Sequence, residues 1–177
     1  MLVLFDGTVQ IHYQQLYVES REPDIIAIDA IDAYAGQRNG MCGAATPGLL
    51  YITTGKGSGP AAIRVERHDT EPPIEDVWED IVEVPFHPQT STVQLMQWAA
   101  EARWPLDLEH QHYRVRYHAR GMDFSDEGSD EPDEDYLLQF WPAPPKPDRI
   151  VRQETKTAGH LNTERIWSPK SGRYVEP

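Results

Sequence analysis

The sequence predicts an all-β, mainly antiparallel fold: a single-domain β-sandwich with glycine-rich loops and an extended C-terminal tail. Three observations lead there. Short stretches with apolar residues at alternate positions recur along the chain, which is the period-2 mark of half-buried strands. Prolines and glycines, 15 and 12 of them, punctuate these stretches and supply the turns between strands. The 177 residues suffice for one well-buried core and fall short of two.

In chain order, residues 8–13 place Val9, Ile11 and Tyr13 on one face and Thr8, Gln10 and His12 on the other. The parity shifts at Gln14 and Gln15, because Leu16 and Val18 continue the pattern on even positions. A β-bulge there restores the common face. Residues 24–35 carry Ile25, Ile28 and Ile31 at helical spacing but fit a strand and turn equally well. Residues 36–48 form a glycine-rich loop, and residues 49–54 and 62–68 read as strands joined by the turn GKGSGP. A second helix candidate spans 75–80. Strands follow at Val82, Val84 and Phe86, stopped by the Pro85 and Pro88 pair, and at Val93 and Leu95. Trp98 and Trp104 are expected to cap the core. Tyr113, Val115 and Tyr117 alternate with Arg114, Arg116 and His118, a basic outer face to be balanced by nearby carboxylates, and Tyr136, Leu138 and Phe140 make the last strand. The proline cluster at 142–147 closes the body, expected over 1–152; residues 153–177 form a tail that is mobile or wraps the body.

Charge narrows the function. The net charge is -13, and it is uneven: residues 1–147 hold 25 acidic against 10 basic side chains, whereas 148–177 hold 4 against 6. Such a body repels nucleic acid and anionic membranes and attracts basic partners. Cys42 is the sole cysteine, so an intramolecular disulfide is excluded. No apolar run approaches the roughly 18 residues of a membrane span, and the opening MLVLF lacks the basic start of a secretory signal. A cytoplasmic protein is expected.

The most acidic stretch is 123–135, DFSDEGSDEPDED. Asp123, Ser125, Glu127, Gly128, Glu131 and Glu134 fall in the order of EF-hand calcium ligands, but Asp130 stands where an apolar residue pairs two such loops, and strands rather than helices flank it. It reads instead as a solvated loop or an acidic binding surface. In the second reading Asp123, Asp126, Glu127, Asp130, Glu131, Asp133, Glu134 and Asp135 meet a basic partner, with Trp141 as an anchor. His110 and His112 sit on one face of a strand, but the sequence names no third ligand, so no metal and no cofactor is expected. The Gly55 to Gly59 stretch lacks Walker A spacing and reads as a hairpin turn. Arg38, Asn39 and Cys42 in the glycine-rich loop form an alternative ligand or catalytic pocket, although nothing adjacent to Cys42 lowers its pKa.

In residues 8–18 (TVQIHYQQLYV), 82–87 (VEVPFH), 105–108 (PLDL), 113–115 (YRV) and 135–140 (DYLLQF), the chain resembles the competence protein J family. The resemblance covers about half of the chain. It implies a small cytoplasmic inhibitor of a DNA-entry nuclease. The chain departs from the family pattern in a longer, glycine-rich 36–60 region, in the acidic insert at 123–135 and in the segment beyond Pro147. The leading expectation is therefore a non-enzymatic acidic binding protein that neutralises a cationic nuclease. A ligand-binding or enzymatic sandwich built on the 36–48 loop and a self-associating module paired through a strand edge stand as alternatives.

Overall fold

A computed structural model describes residues 1–21, 29–124 and 129–164, and the backbone of 167–168 and 173–174. Its strands are β1 (Leu2–His12), β2 (Gln15–Glu19), β3 (Cys42–Gly43), β4 (Leu49–Thr53), β5 (Ser58–Arg67), β6 (Asp80–Phe86), β7 (Val93–Gln97), β8 (Arg103–Leu106), β9 (Tyr113–Arg120), β10 (Asp135–Pro142), β11 (Arg149–Arg152), β12 (Trp167–Ser168) and β13 (Arg173–Tyr174). The helices are α1 (Ala30–Ala33) and α2 (Lys156–Glu164). Among the described residues, no helix is long and apolar enough to cross a membrane.

The fold is mostly β, as expected, but it is not a clear sandwich. Strands β1 to β11 hydrogen-bond into one sheet, ordered β11-β6-β9-β10-β5-β1-β2-β4-β3 with β7 and β8 branching from β2. The sheet curls into a half-barrel. Its β10–β5 pair is parallel, and the other pairs are antiparallel. The reason lies at Tyr13 and Gln14. Instead of a bulge, these residues make a tight hairpin at φ 56° and 60°, and β2 pairs with β1 only at His12 and Gln15 before passing between β4 and β7. One sheet thus bends around its main core, so that Val9 and Ile11 of β1 and Leu16 and Val18 of β2 pack into the same cluster, while Tyr17, Tyr34, Leu49, Tyr51 and Met96 belong to a second, smaller one. Each such side chain contributes about 1.5–3 kcal/mol by leaving water.

Alternation places Tyr113, Val115 and Tyr117 inward, as expected, and Arg114, Arg116 and His118 outward. The outward face is nevertheless buried, because residues 69–79 run across it. Those residues do not form the helix expected at 75–80. Asp80 instead opens β6, and Arg152 takes the Glu75 carbonyl, which a helix would have used, along with that of Trp78, while Arg116 holds the Pro72 carbonyl. Residues 22–28, which hold part of the first helix candidate, lie outside the described residues; α1 forms just after them.

Under that loop His118 packs against the Trp78 ring at 5.3 Å, and its Nε2 meets Gln139 Oε1 at 3.0 Å. Burial pulls its imidazole down to about 4 from 6.5. Above pH 6.5 the group is neutral in both folded and unfolded chains; below it the unfolded chain takes up a proton that the folded one refuses. Stability should therefore fall as pH drops from 6.5 towards 4, by up to about 1.4 kcal/mol per pH unit from this group. Urea midpoints at pH 7 and pH 5 test it: the slope should shrink in His118→Gln, and equal midpoints for the native chain at the two pH values would rule the effect out.

Candidate functional site

Strand direction gathers several loops at one end of the half-barrel. There β1 ends and β2 begins, β4 ends and β5 begins, β6 begins, β7 ends and β8 begins, β9 ends and β10 begins, and β11 ends before α2. Residues 13–14, 54–57, 98–102, 121–124, 129–134 and 153–155 consequently share that end. Glu101, Asp123, Asp130, Glu131 and Glu154 are exposed there.

The acidic stretch divides by role. Asp123 accepts hydrogen bonds from the backbone amides of Lys156 at 3.0 Å and Thr157 at 2.9 Å, and from the Thr157 hydroxyl. It thereby caps α2, and those backbone bonds hold its carboxyl below the usual range. Asp80, fully buried, accepts from the amides of Glu154 and Thr155 and from the Thr155 hydroxyl at 2.6 Å, while Thr155 Oγ1 accepts from the Ala158 amide. These bonds seat α2, whose Ala158 and Leu161 join the core.

Asp133 pairs with the fully buried Lys56 at 2.5 Å, so the lysine of the glycine-rich turn is structural rather than phosphate-facing. Glu134 is buried and accepts from the Tyr136 hydroxyl, whose oxygen also accepts from the Gly55 amide at 2.9 Å. A Cβ at Gly55 would lie 2.4 Å from Glu134 Oε1 and 2.8 Å from Met122 Cβ, which explains glycine at this contact. Asp135 pairs with Arg120 at 2.5 Å. Besides Asp123, the exposed acids of the described part are Asp130 and Glu131, and Asp126 and Glu127 lie outside the described residues. In the calcium-loop alignment, the first and twelfth ligands are thus directed to α2 and to Tyr136.

Trp141 is 5% exposed and lies under the Arg116 guanidinium, 5.0 Å from its ring centroid. The 36–48 loop rests on α2 and the segment before β11. The amides of Arg38 and Asn39 and the Asn39 side chain all donate to Asp148 Oδ2, Asn39 Oδ1 accepts from Met41 and Cys42, and Gly40 donates to Asn162. A Cβ at Gly40 would sit 1.8 Å from the Leu161 carbonyl oxygen. Cys42 is fully buried, and burial pushes its thiol far up. At the opposite end His87 joins the histidine pair, its ring 4.2 Å from His112 and 4.8 Å from His110. Among the described residues, no three His, Cys, Asp or Glu side chains are arranged to hold a metal ion.

Sequence reasoning missed Glu79, Asp80, Glu101 and Glu154 as members of this end, since strand topology alone brings them there. The dense run EPPIEDVWED at 71–80 was the available signal.

A curled mixed sheet with one parallel pair defines a fold class already seen in solved structures. One member is ComJ from Bacillus subtilis, the inhibitor of the DNA degrading activity of NucA, which matches with a TM-score of 0.59 and 18% identity over 80% of this chain and 98% of that one. A second, described as crocagin biosynthetic gene J, matches at 0.53 and 14% over 78% and 96%. The resemblance expected from the sequence thus holds at the level of the fold. No family model and no curated protein sequence matches the chain.

Proposed function

We propose that this chain is a non-enzymatic binding protein that inhibits a cationic nuclease through its acidic end. The observation that carries the reading is the gathering of exposed carboxylates at one end of a fold shared with a nuclease inhibitor. Glu101, Asp123, Asp130, Glu131 and Glu154 offer a basic active-site cleft the charge that DNA phosphates would offer. No step of this role needs a nucleophile, and the most nucleophilic side-chain type in the chain, Cys42, is sealed inside.

The test is the rate of DNA degradation by purified NucA as this protein is added, at low and high salt. The rate should fall with added protein at low salt and recover as salt shortens the screening length from about 10 Å at 0.1 M to about 3 Å at 1 M. Full nuclease activity in a large excess of protein at low salt, for NucA and for any nuclease encoded beside this chain, would refute the reading.

A further inference from the structure

Tyr13, Gln14, Ala99 and Ala100 have φ of 56°, 60°, 52° and 58° and are the non-glycine residues in the left-handed region among those described. Tyr13 and Gln14 make the two-residue turn joining β1 to β2, and Ala99 and Ala100 lie in the five-residue connection of β7 to β8. Paired positive-φ residues in such a hairpin favour Asn-Gly, and an ordinary L-residue there costs about 1–2 kcal/mol. Pairing of Leu16 with Gln97 sets the two tips side by side.

Burial does not offset this cost at Tyr13, which is 66% exposed. Its ring instead lies 4.9 Å from that of Trp98, tilted by 54°. The His12 ring lies 6.3 Å from that of Trp98, and its Nε2 stands 3.3 Å from the Glu101 carboxylate, which remains half exposed. A strained, exposed tyrosine against a tryptophan, with a carboxylate on the same turn as Trp98, has the makings of a cation site. The ring faces attract a guanidinium or ammonium group, and the carboxylate adds charge. Strain of this kind, held by a side chain that stays mostly in water, points to function.

We propose that the Tyr13–Trp98–Glu101 corner anchors an arginine or lysine side chain of a basic protein partner. The corner lies on the acidic end, because Gln14 bonds Gly55 and Gly57 and the intervening Lys56 bonds Asp133. It therefore supplies the anchor for the partner of that end and rests on the reading that this end meets a basic protein. Tyrosine and tryptophan are favoured interface hot spots, and a surrounding field of carboxylates would bring the cation to them.

The experiment compares the native chain with a Tyr13→Asn, Gln14→Gly variant, which installs the favoured turn pair and removes the exposed ring. Calorimetric titration with a hexa-arginine peptide at low salt gives affinity, thermal unfolding gives stability, and the NucA assay gives inhibition. The variant should melt higher and bind the peptide about fivefold more weakly, the loss of one exposed cation–π contact. Unchanged peptide affinity, a lowered melting point, or failure of the native chain to bind the peptide would each overturn the anchor. If the variant inhibits the nuclease as well as the native chain and binds the peptide equally, the anchor is wrong and the inhibitor reading stands. If the native chain does not inhibit while the variant still loses peptide affinity, the inhibitor reading fails and the anchor stands.

Discussion

Replacing Glu83 with alanine should cost about 3–5 kcal/mol of stability, the penalty for stranding buried charge. Glu83 lies at the centre of β6, opposite Arg116 of β9 on one side and Arg149 of β11 on the other. Its two oxygens accept from Arg114 Nε at 3.1 Å, Arg116 Nε at 2.9 Å and Arg149 Nε at 2.9 Å. Arg114 and Arg116 are 6% and 0% exposed, so neither guanidinium can turn to water when the carboxylate is removed. Arg116 would keep the Pro72 carbonyl and Glu71, and Arg114 the carbonyls of Lys146 and Pro147, but the counter-charge between them would be gone. Against a total of about 5–15 kcal/mol for an ordinary domain, that loss is severe. Glu83→Gln, which keeps the shape, should fall between the two. Urea unfolding measures both, and a loss below about 1 kcal/mol in Glu83→Ala would show that the arginines are solvated after all.

The same site has a pH signature. Burial pushes the Glu83 carboxyl up, but hydrogen bonds from Arg149, Arg116 and Arg114 outweigh it, and the net position is below the ordinary carboxylate value. Stability from this group is thus present above the unfolded pKa and lost as pH falls through the folded one. That window lies below the one in which His118 acts, so acid should destabilise the protein in two successive stages.

Local chemistry was legible where it had a period. The inward set Tyr113, Val115, Tyr117 and the set Tyr136, Leu138, Phe140 follow from alternation alone, and both line the core. The parity break at Gln14 was legible as a break and not as a turn, because neither Tyr13 nor Gln14 is a usual residue for positive φ. A bulge keeps a strand in place while a hairpin redirects it, and that single difference separates a sandwich from a half-barrel. Strand β8 and helix α2 escaped for related reasons. Arg103 to Leu106 contains a proline, and α2 owes its start to Asp80 and Asp123, more than thirty residues away in sequence. The acidic stretch was visible as charge, yet its division into structural and exposed carboxylates depends on partners at Lys56, Tyr136 and Lys156 that spacing does not reveal.

That division determines how the acidic end should be tested. Asp123, Asp133 and Glu134 hold the fold, so neutralising the whole stretch would confound binding with stability. Asp130, Glu131 and Glu154 are exposed and carry their charge outward. Changing them together to Asn, Gln and Gln should leave the melting point level or slightly raised, because like charges are removed from one end of an already acidic protein. Association with a cationic nuclease should slow by on the order of tenfold at low salt, and its dependence on salt should flatten, since long-range attraction acts on encounter more than on the docked complex. Dissociation should change little. Stopped-flow mixing at several salt concentrations separates the two rates. A variant that associates as fast as the native chain would move the encounter surface away from this end, whereas one that dissociates much faster would mean that these carboxylates make docked contacts instead of steering the approach.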